Sequence, residues 1–184
     1  MGEKRKGRRA YLNDFTTNLQ GDYVYQGSHF HYVGETPWGR QLRCLWGLTA
    51  GMAAAFVLGG LLPAAGMSGT LYVVLPYLVS VIAGASVVWA MAKLRREGKL
   101  RSYVYEATIL KLPARANAAA VSAALASAGE GLNLILNGSG GKTAATLGYL
   151  TLELLAALAA RRLARRAAAM DGEERREPGA DIGL

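Results

Sequence analysis

Residues 44–66 and 70–92 contain no Asp, Glu, Lys or Arg, and a helix needs only about 20 apolar residues to cross the hydrocarbon core of a bilayer. Each stretch predicts one spanning helix. Their connection, Gly66-Met67-Ser68-Gly69-Thr70, is short and uncharged, so the two form a hairpin. Gly47 with Gly51 and Ser80 with Gly84 place small residues four apart, a spacing that lets helix backbones approach closely.

The second half is more mixed. Residues 116–136 are alanine-rich and include Asn117, Glu130 and Asn133, while 143–160 include Glu153. Hydropathy leaves both segments ambiguous. Shifting the chain on itself by 72 residues changes that picture. The shift pairs Arg43 with Arg115, Gly59 with Gly131, Gly66 with Gly138, Gly69 with Gly141, Tyr77 with Tyr149 and Lys93 with Arg165. A basic flank, a Gly-rich tip, an aromatic and a basic exit thus recur at one offset, the mark of a duplicated unit. Spans three and four are then expected at about 116–136 and 144–162.

The expected fold class is an all-α membrane protein with four transmembrane helices arranged as two tandem hairpins, a parallel repeat about the membrane normal. Short cytoplasmic β-like segments are expected beside it. The alternative is two transmembrane helices plus a cytoplasmic helical hairpin. The organisation along the chain is a cytoplasmic segment 1–42, hairpin one at 43–92, a cytoplasmic connector 93–115, hairpin two at 116–162 and a charged tail 163–184.

Charge orients this arrangement. The net charge is +8, and the basic residues sit beside the apolar runs: Arg40 and Arg43 before the first, Lys93, Arg95 and Arg96 after the second. Lys142 in the tip 137–143 is the exception, and 20 of the 21 Lys and Arg then lie on one side. Cationic loops stay in the cytoplasm, so both termini are expected inside and both tips outside. That placement also disfavours nucleic acid as a partner, because phosphate binding needs a clustered basic surface. Roughly 40 mostly polar residues precede the first run, unlike a cleaved signal peptide, and the first span is expected to be retained.

The polar segments add little chemistry. Residues 23–33 alternate around Gln26-Gly27-Ser28 and read as a hairpin, with 103–110 a candidate third strand. His29 and His31 share a strand face but lack the further ligands a metal site needs. The single cysteine, Cys44, offers no disulfide. Trp38 and Trp46 suit the inner membrane interface. The run Asn137-Gly138-Ser139-Gly140-Gly141-Lys142-Thr143 partly resembles a phosphate-binding loop, yet Leu136 stands where the pattern requires Gly. No nucleophile elbow or catalytic triad pattern is present, so no catalytic residue, cofactor or metal is expected and the protein is expected not to be an enzyme. The acidic tail 171–178 has the composition of a solvated segment.

The remaining chemistry is a possible intramembrane polar site, Glu130, Glu153, Asn133 and Tyr149. A carboxylate within a span is costly and marks a pathway, a partner or a pocket. Counted from Gly140, Glu130 lies ten residues down span three and Glu153 thirteen down span four. At about 1.5 Å per residue their depths differ by roughly 5 Å. Carboxylates sharing one pocket repel, so one would hold a proton at neutral pH. The 72-residue counterparts are Leu58 and Val81, both apolar, so the site belongs to the second unit alone.

Function follows as two expectations. The first is a multi-pass cell-membrane protein serving as a non-enzymatic scaffold or accessory subunit, its partners the lipid bilayer and either a second copy or another membrane protein. The alternative is a small proton- or cation-coupled transporter using Glu130 and Glu153.

Overall fold

The computed structural model describes residues 15–17, 23–25, 29–94, 99–170 and 172–175, with side chains described for 32–94 and 104–170. Four long helices dominate: α1 (Trp38–Leu61), α2 (Leu71–Ala92), α4 (Leu112–Asn137) and α5 (Thr143–Ala168), with the short α3 (Ser102–Ala107) leading into α4. Each of the four long helical segments is long and apolar enough to cross a membrane.

Prolines and glycines place the helix ends. Pro37 caps α1 in an extended conformation, so the helix starts at Trp38, ahead of the charge-free run that begins at Cys44. It stops at Leu61 because Leu62 precedes Pro63 and takes the extended conformation (φ −80°, ψ 130°) that proline imposes on its predecessor. The segment from Leu62 to Thr70 therefore forms a loop longer than the tip expected from charge alone. At the end of α4, Gly138 adopts φ 70° and donates its N–H to the Leu134 carbonyl, a left-handed termination open to glycine at little cost. Helix α5 runs past Arg161 and Arg162 and ends with Arg165 and Arg166 in its last turn, where cations oppose the helix dipole.

Helix α4 is central. It packs along both α2 and α5, and α1 lies on α5. The alanines at 116, 119, 120, 123 and 126 are buried at helical spacing and bring the backbones close. Leu45, Met52 and Phe56 of α1, Val87 and Met91 of α2, and Ala156, Ala160 and Leu163 of α5 complete the main core. One close approach depends on sequence. Pro76 has no N–H, so the Tyr72 carbonyl loses its helical donor, and Gly129 of α4 sits against that carbonyl. A Cβ at Gly129 would stand 2.5 Å from the Tyr72 oxygen.

The polarity of the helix faces is inverted relative to a water-soluble bundle. Leu61, Leu71, Ile82, Trp89 and Ile135 are exposed, while Thr49, Ser80, Ser122, Glu130 and Glu153 are buried. Isolated exposed apolar residues are ordinary, but here large apolar side chains cover the outer faces of all four long helices. This is the make-up of a multi-pass membrane protein.

The polar segments pair differently from expectation. Strand β2 (Tyr23–Tyr25) pairs antiparallel with β1 (Phe15–Thr17), whereas β3 (His29–Tyr32) lies between β4 (Lys99–Arg101) and β5 (Gly172–Arg175). The expected hairpin of 23–33 is not formed, because the two halves of that run have different partners. Residues 103–110 supply no third strand either. Ser102–Ala107 is helical, and Thr108 and Leu112 continue with backbone hydrogen bonds to Val104 and Thr108. In the acidic tail, Gly172–Arg175 is paired with β3, and the rest of it lies outside the described residues.

Candidate functional site

Glu130 and Asn133 stand on α4, three residues apart, with Asn137 a turn further; Thr146, Tyr149 and Glu153 repeat the same spacing on α5. That spacing keeps each triple on one helix face. Glu130, Asn133, Thr146, Tyr149 and Glu153 are all buried. Two polar rows thus line the interior between the second hairpin and the first.

Glu130 has a partner. Its two carboxylate oxygens accept the Gly66 N–H at 3.1 and 3.0 Å, so a side chain on α4 holds the backbone of the α1–α2 loop. Gly66 itself has no room for a Cβ, which would collide with the Glu130 carboxylate and Val73. Thr146 holds the same loop one residue earlier, accepting the Ala65 N–H at 3.1 Å. Across the tips, Lys142 Nζ donates to Ser68 Oγ at 3.0 Å. Asn133 Oδ1 accepts from Asn137 Nδ2 at 2.9 Å and from the Tyr72 hydroxyl at 3.4 Å.

Glu153 differs. Both of its carboxylate oxygens, and the Tyr149 hydroxyl one turn away, are buried and find no hydrogen-bond partner among the described residues. A Cβ added at Gly59 of α1 would stand 3.3 Å from Glu153 Oε1, so the missing side chain leaves the carboxyl its space. Tyr77 packs on Tyr149 with ring centroids 6.1 Å apart, and its hydroxyl donates to the Phe56 carbonyl at 2.8 Å. Ala64 and Val73 close over Tyr149 from the loop side.

The four residues expected to form a polar site are therefore all interior, but in two distinct settings. No hydrogen bond joins Glu130 to Glu153. Glu130 reaches backwards to a loop amide, and Glu153 faces α1. Thr146, Gly59 and Gly66 complete the arrangement and were not singled out as site residues. Thr146 shares the helical register of Tyr149 and Glu153, which is the signal that marks it; the two glycines carry no chemical signal of their own.

Known families, curated proteins and solved structures provide no match to this chain.

Other motifs resolve as follows. The segment before the Gly-rich tip is the end of α4, whereas a phosphate-binding loop follows a strand. Lys142 is engaged with Ser68. Among the described residues no group of three His, Cys, Asp or Glu could hold a metal. His29 and His31 lie on β3, and their side chains fall outside the described residues. The two small-residue pairs part company: Gly84 faces Phe56 of α1, whereas Gly47 and Gly51 face open space.

Proposed function

We propose that this chain is a cell-membrane protein of four spans that acts as a non-enzymatic scaffold or accessory subunit through helix–helix association. The observation that carries this reading is a small-residue seam on α1. Gly47, Ala50, Gly51 and Ala54 are all exposed, and no atom lies within 4 Å of a Cβ placed at either glycine. Beside it, α1 and α5 bound an apolar groove of about 390 Å³ lined by Leu48, Leu58, Leu155 and Leu158. In lipid, association relies on backbone proximity and packing, so such a seam suits another helix, from a second copy or another membrane protein. Purification in mild detergent, followed by cross-linking, recovers an oligomer or a partner, and Gly51→Leu weakens that association. A strictly monomeric, partner-free particle that Gly51→Leu leaves unchanged overturns the reading.

The same proposal places both termini in the cytoplasm and both tips outside, by the charge asymmetry of the flanks. The Lys142–Ser68 contact supports placing the tips on one side. Duplication is supported by the starts of α2 and α5 at Leu71 and Thr143, which differ by the same 72 residues, and by the contact of Tyr77 with Tyr149. Repeat-equivalent residues meet each other near an axis that relates two copies. Cysteines introduced at Ser68 and Ser139 label from outside if the topology is right, and cytoplasmic labelling of Ser139→Cys removes it.

A second reading, a small proton- or cation-coupled transporter, is favoured by the unpartnered Glu153. Four spans seldom enclose a pathway alone, so it too calls for an oligomer. Glu130→Gln together with Glu153→Gln abolishes pH-dependent flux in proteoliposomes if the reading holds, and unaltered flux removes it.

A further inference from the structure

Glu130 and Glu153 are both buried carboxylates, but among the described residues only one of them has a hydrogen-bond partner. An isolated ionised carboxylate in an apolar interior is far too costly to persist without a partner. Glu130 has the Gly66 amide. Glu153 has no hydrogen bond to either oxygen, and what faces it is uncharged: Gly59 from α1, and Tyr149 on its own helix, with Tyr77 of α2 packed against Tyr149. The nearby acidic group on α4 is Glu130, which cannot neutralise it, and the Tyr77 hydroxyl is committed to the Phe56 carbonyl. Among the described residues no donor satisfies it, so the proton or cation that balances it is drawn from solution.

We propose that Glu153, with the free hydroxyl of Tyr149, is an exchangeable site for one small monovalent cation, a proton or an alkali ion, and that Glu130 is a structural latch. The position suits exchange. Glu153 is ten residues into α5, so at about 1.5 Å per residue it lies about 15 Å from the start of the helix, near the middle of a hydrocarbon core about 30 Å thick. The missing Cβ at Gly59 lets α1 accommodate Oε1, and the hydroxyl of Tyr149 adds a second unpartnered oxygen on the same helix face. Above them, the loop from Leu62 to Gly66 covers Tyr149 through Ala64 and is held down by Glu130 and Thr146. The assignment refines the transport reading but is a statement about binding, and it stands even where no flux is found.

The test is labelling by dicyclohexylcarbodiimide, an apolar reagent that partitions into lipid. A protonated carboxyl gives its proton to a carbodiimide nitrogen while the carboxyl oxygen bonds to the central carbon; the adduct then rearranges to a stable acylurea. The wild-type protein is reconstituted in liposomes in choline chloride, treated from mildly acidic to mildly alkaline pH, and mapped by peptide mass. The expected result is one carbodiimide mass on Glu153 and none on Glu130. The adduct is lost in Glu153→Gln and retained in Glu130→Gln. Sodium chloride in place of choline chloride separates the two ligands: labelling suppressed by sodium identifies an alkali-ion site, and labelling indifferent to sodium identifies a proton site. Absence of an adduct on wild-type Glu153 across the pH range in choline chloride, or labelling of Glu130 to the same extent, overturns the proposal. Flux measurements address transport separately, so a labelled Glu153 without flux sinks the transporter and keeps the site.

Discussion

In the first hairpin, α1 and α2 carry almost uniformly apolar surfaces and meet through Phe56, Tyr77 and Gly84. In the second, α4 and α5 pack closely along their length and carry Glu130, Asn133, Tyr149 and Glu153 inside. The polar side chains come from one hairpin and their receiving surfaces from the other: Glu130 bonds the Gly66 amide, Thr146 bonds the Ala65 amide, and Glu153 fills the space at Gly59. At these three contacts the first hairpin contributes backbone and the second side chains, whereas Tyr72 and Ser68 meet Asn133 and Lys142 through side chains on both sides. In an apolar surround a backbone amide left over by a loop needs a donor-to-acceptor match as much as any side chain does, and α4 and α5 supply it.

The comparison breaks most severely at Gly129. Valine there collides with the Tyr72 carbonyl and forces α2 away from α4, at a cost of about 3 kcal/mol, the upper end for overpacking. Denaturant unfolding in detergent micelles reads the loss, and unchanged stability would mean that α2 and α4 do not approach this closely.

Next in size is Glu130→Ala, which strands the Gly66 N–H and costs about 2 kcal/mol in the same assay. The loop from Leu62 to Thr70 also becomes more susceptible to protease. Glu153→Leu has the opposite sign. Replacing a buried carboxyl that has no partner by an apolar side chain of similar size stabilises the protein by about 1 kcal/mol. Equal signs for the two carboxylates would erase the distinction between latch and exchange site.

Tyr77→Phe removes the hydroxyl bond to the Phe56 carbonyl, one of the ties between α1 and α2. Interhelical bonds in membranes average about 0.6 kcal/mol, and the expected loss is of that size. The smallest effect is at Gly131, where no atom lies within 4 Å of an added Cβ. Alanine there raises stability by about 0.5 kcal/mol through helix propensity alone, measured as a small rise in the unfolding midpoint.

Much of this architecture is legible without coordinates. Long charge-free runs and the 72-residue recurrence mark where four helices fall, and intramembrane carboxylates stand out by their cost. The hairpin expected at 23–33 is not formed, and the actual pairing was not legible, because three- and four-residue strands carry little pairing information and the partners of 29–32 arrive from 99–101 and 172–175. Nor does spacing reveal which small-residue pair is used: Ser80 with Gly84 lies inside, Gly47 with Gly51 outside.

The sequence by itself determined α1 and α2, because length without charge and proline at the α1 ends act locally, as does the glycine that ends α4. It also singled out Glu130 and Glu153, since a carboxylate within an apolar span is costly, and the structure buries both. Only the tertiary structure decided that Glu130 is satisfied and Glu153 is not. That difference depends on a loop amide 64 residues upstream of Glu130 and on the absence of any such donor beside Glu153. Hydrogen bonding is short-ranged and directional, so residues of the same type at similar depth acquire different chemistry only once the chain has closed around them.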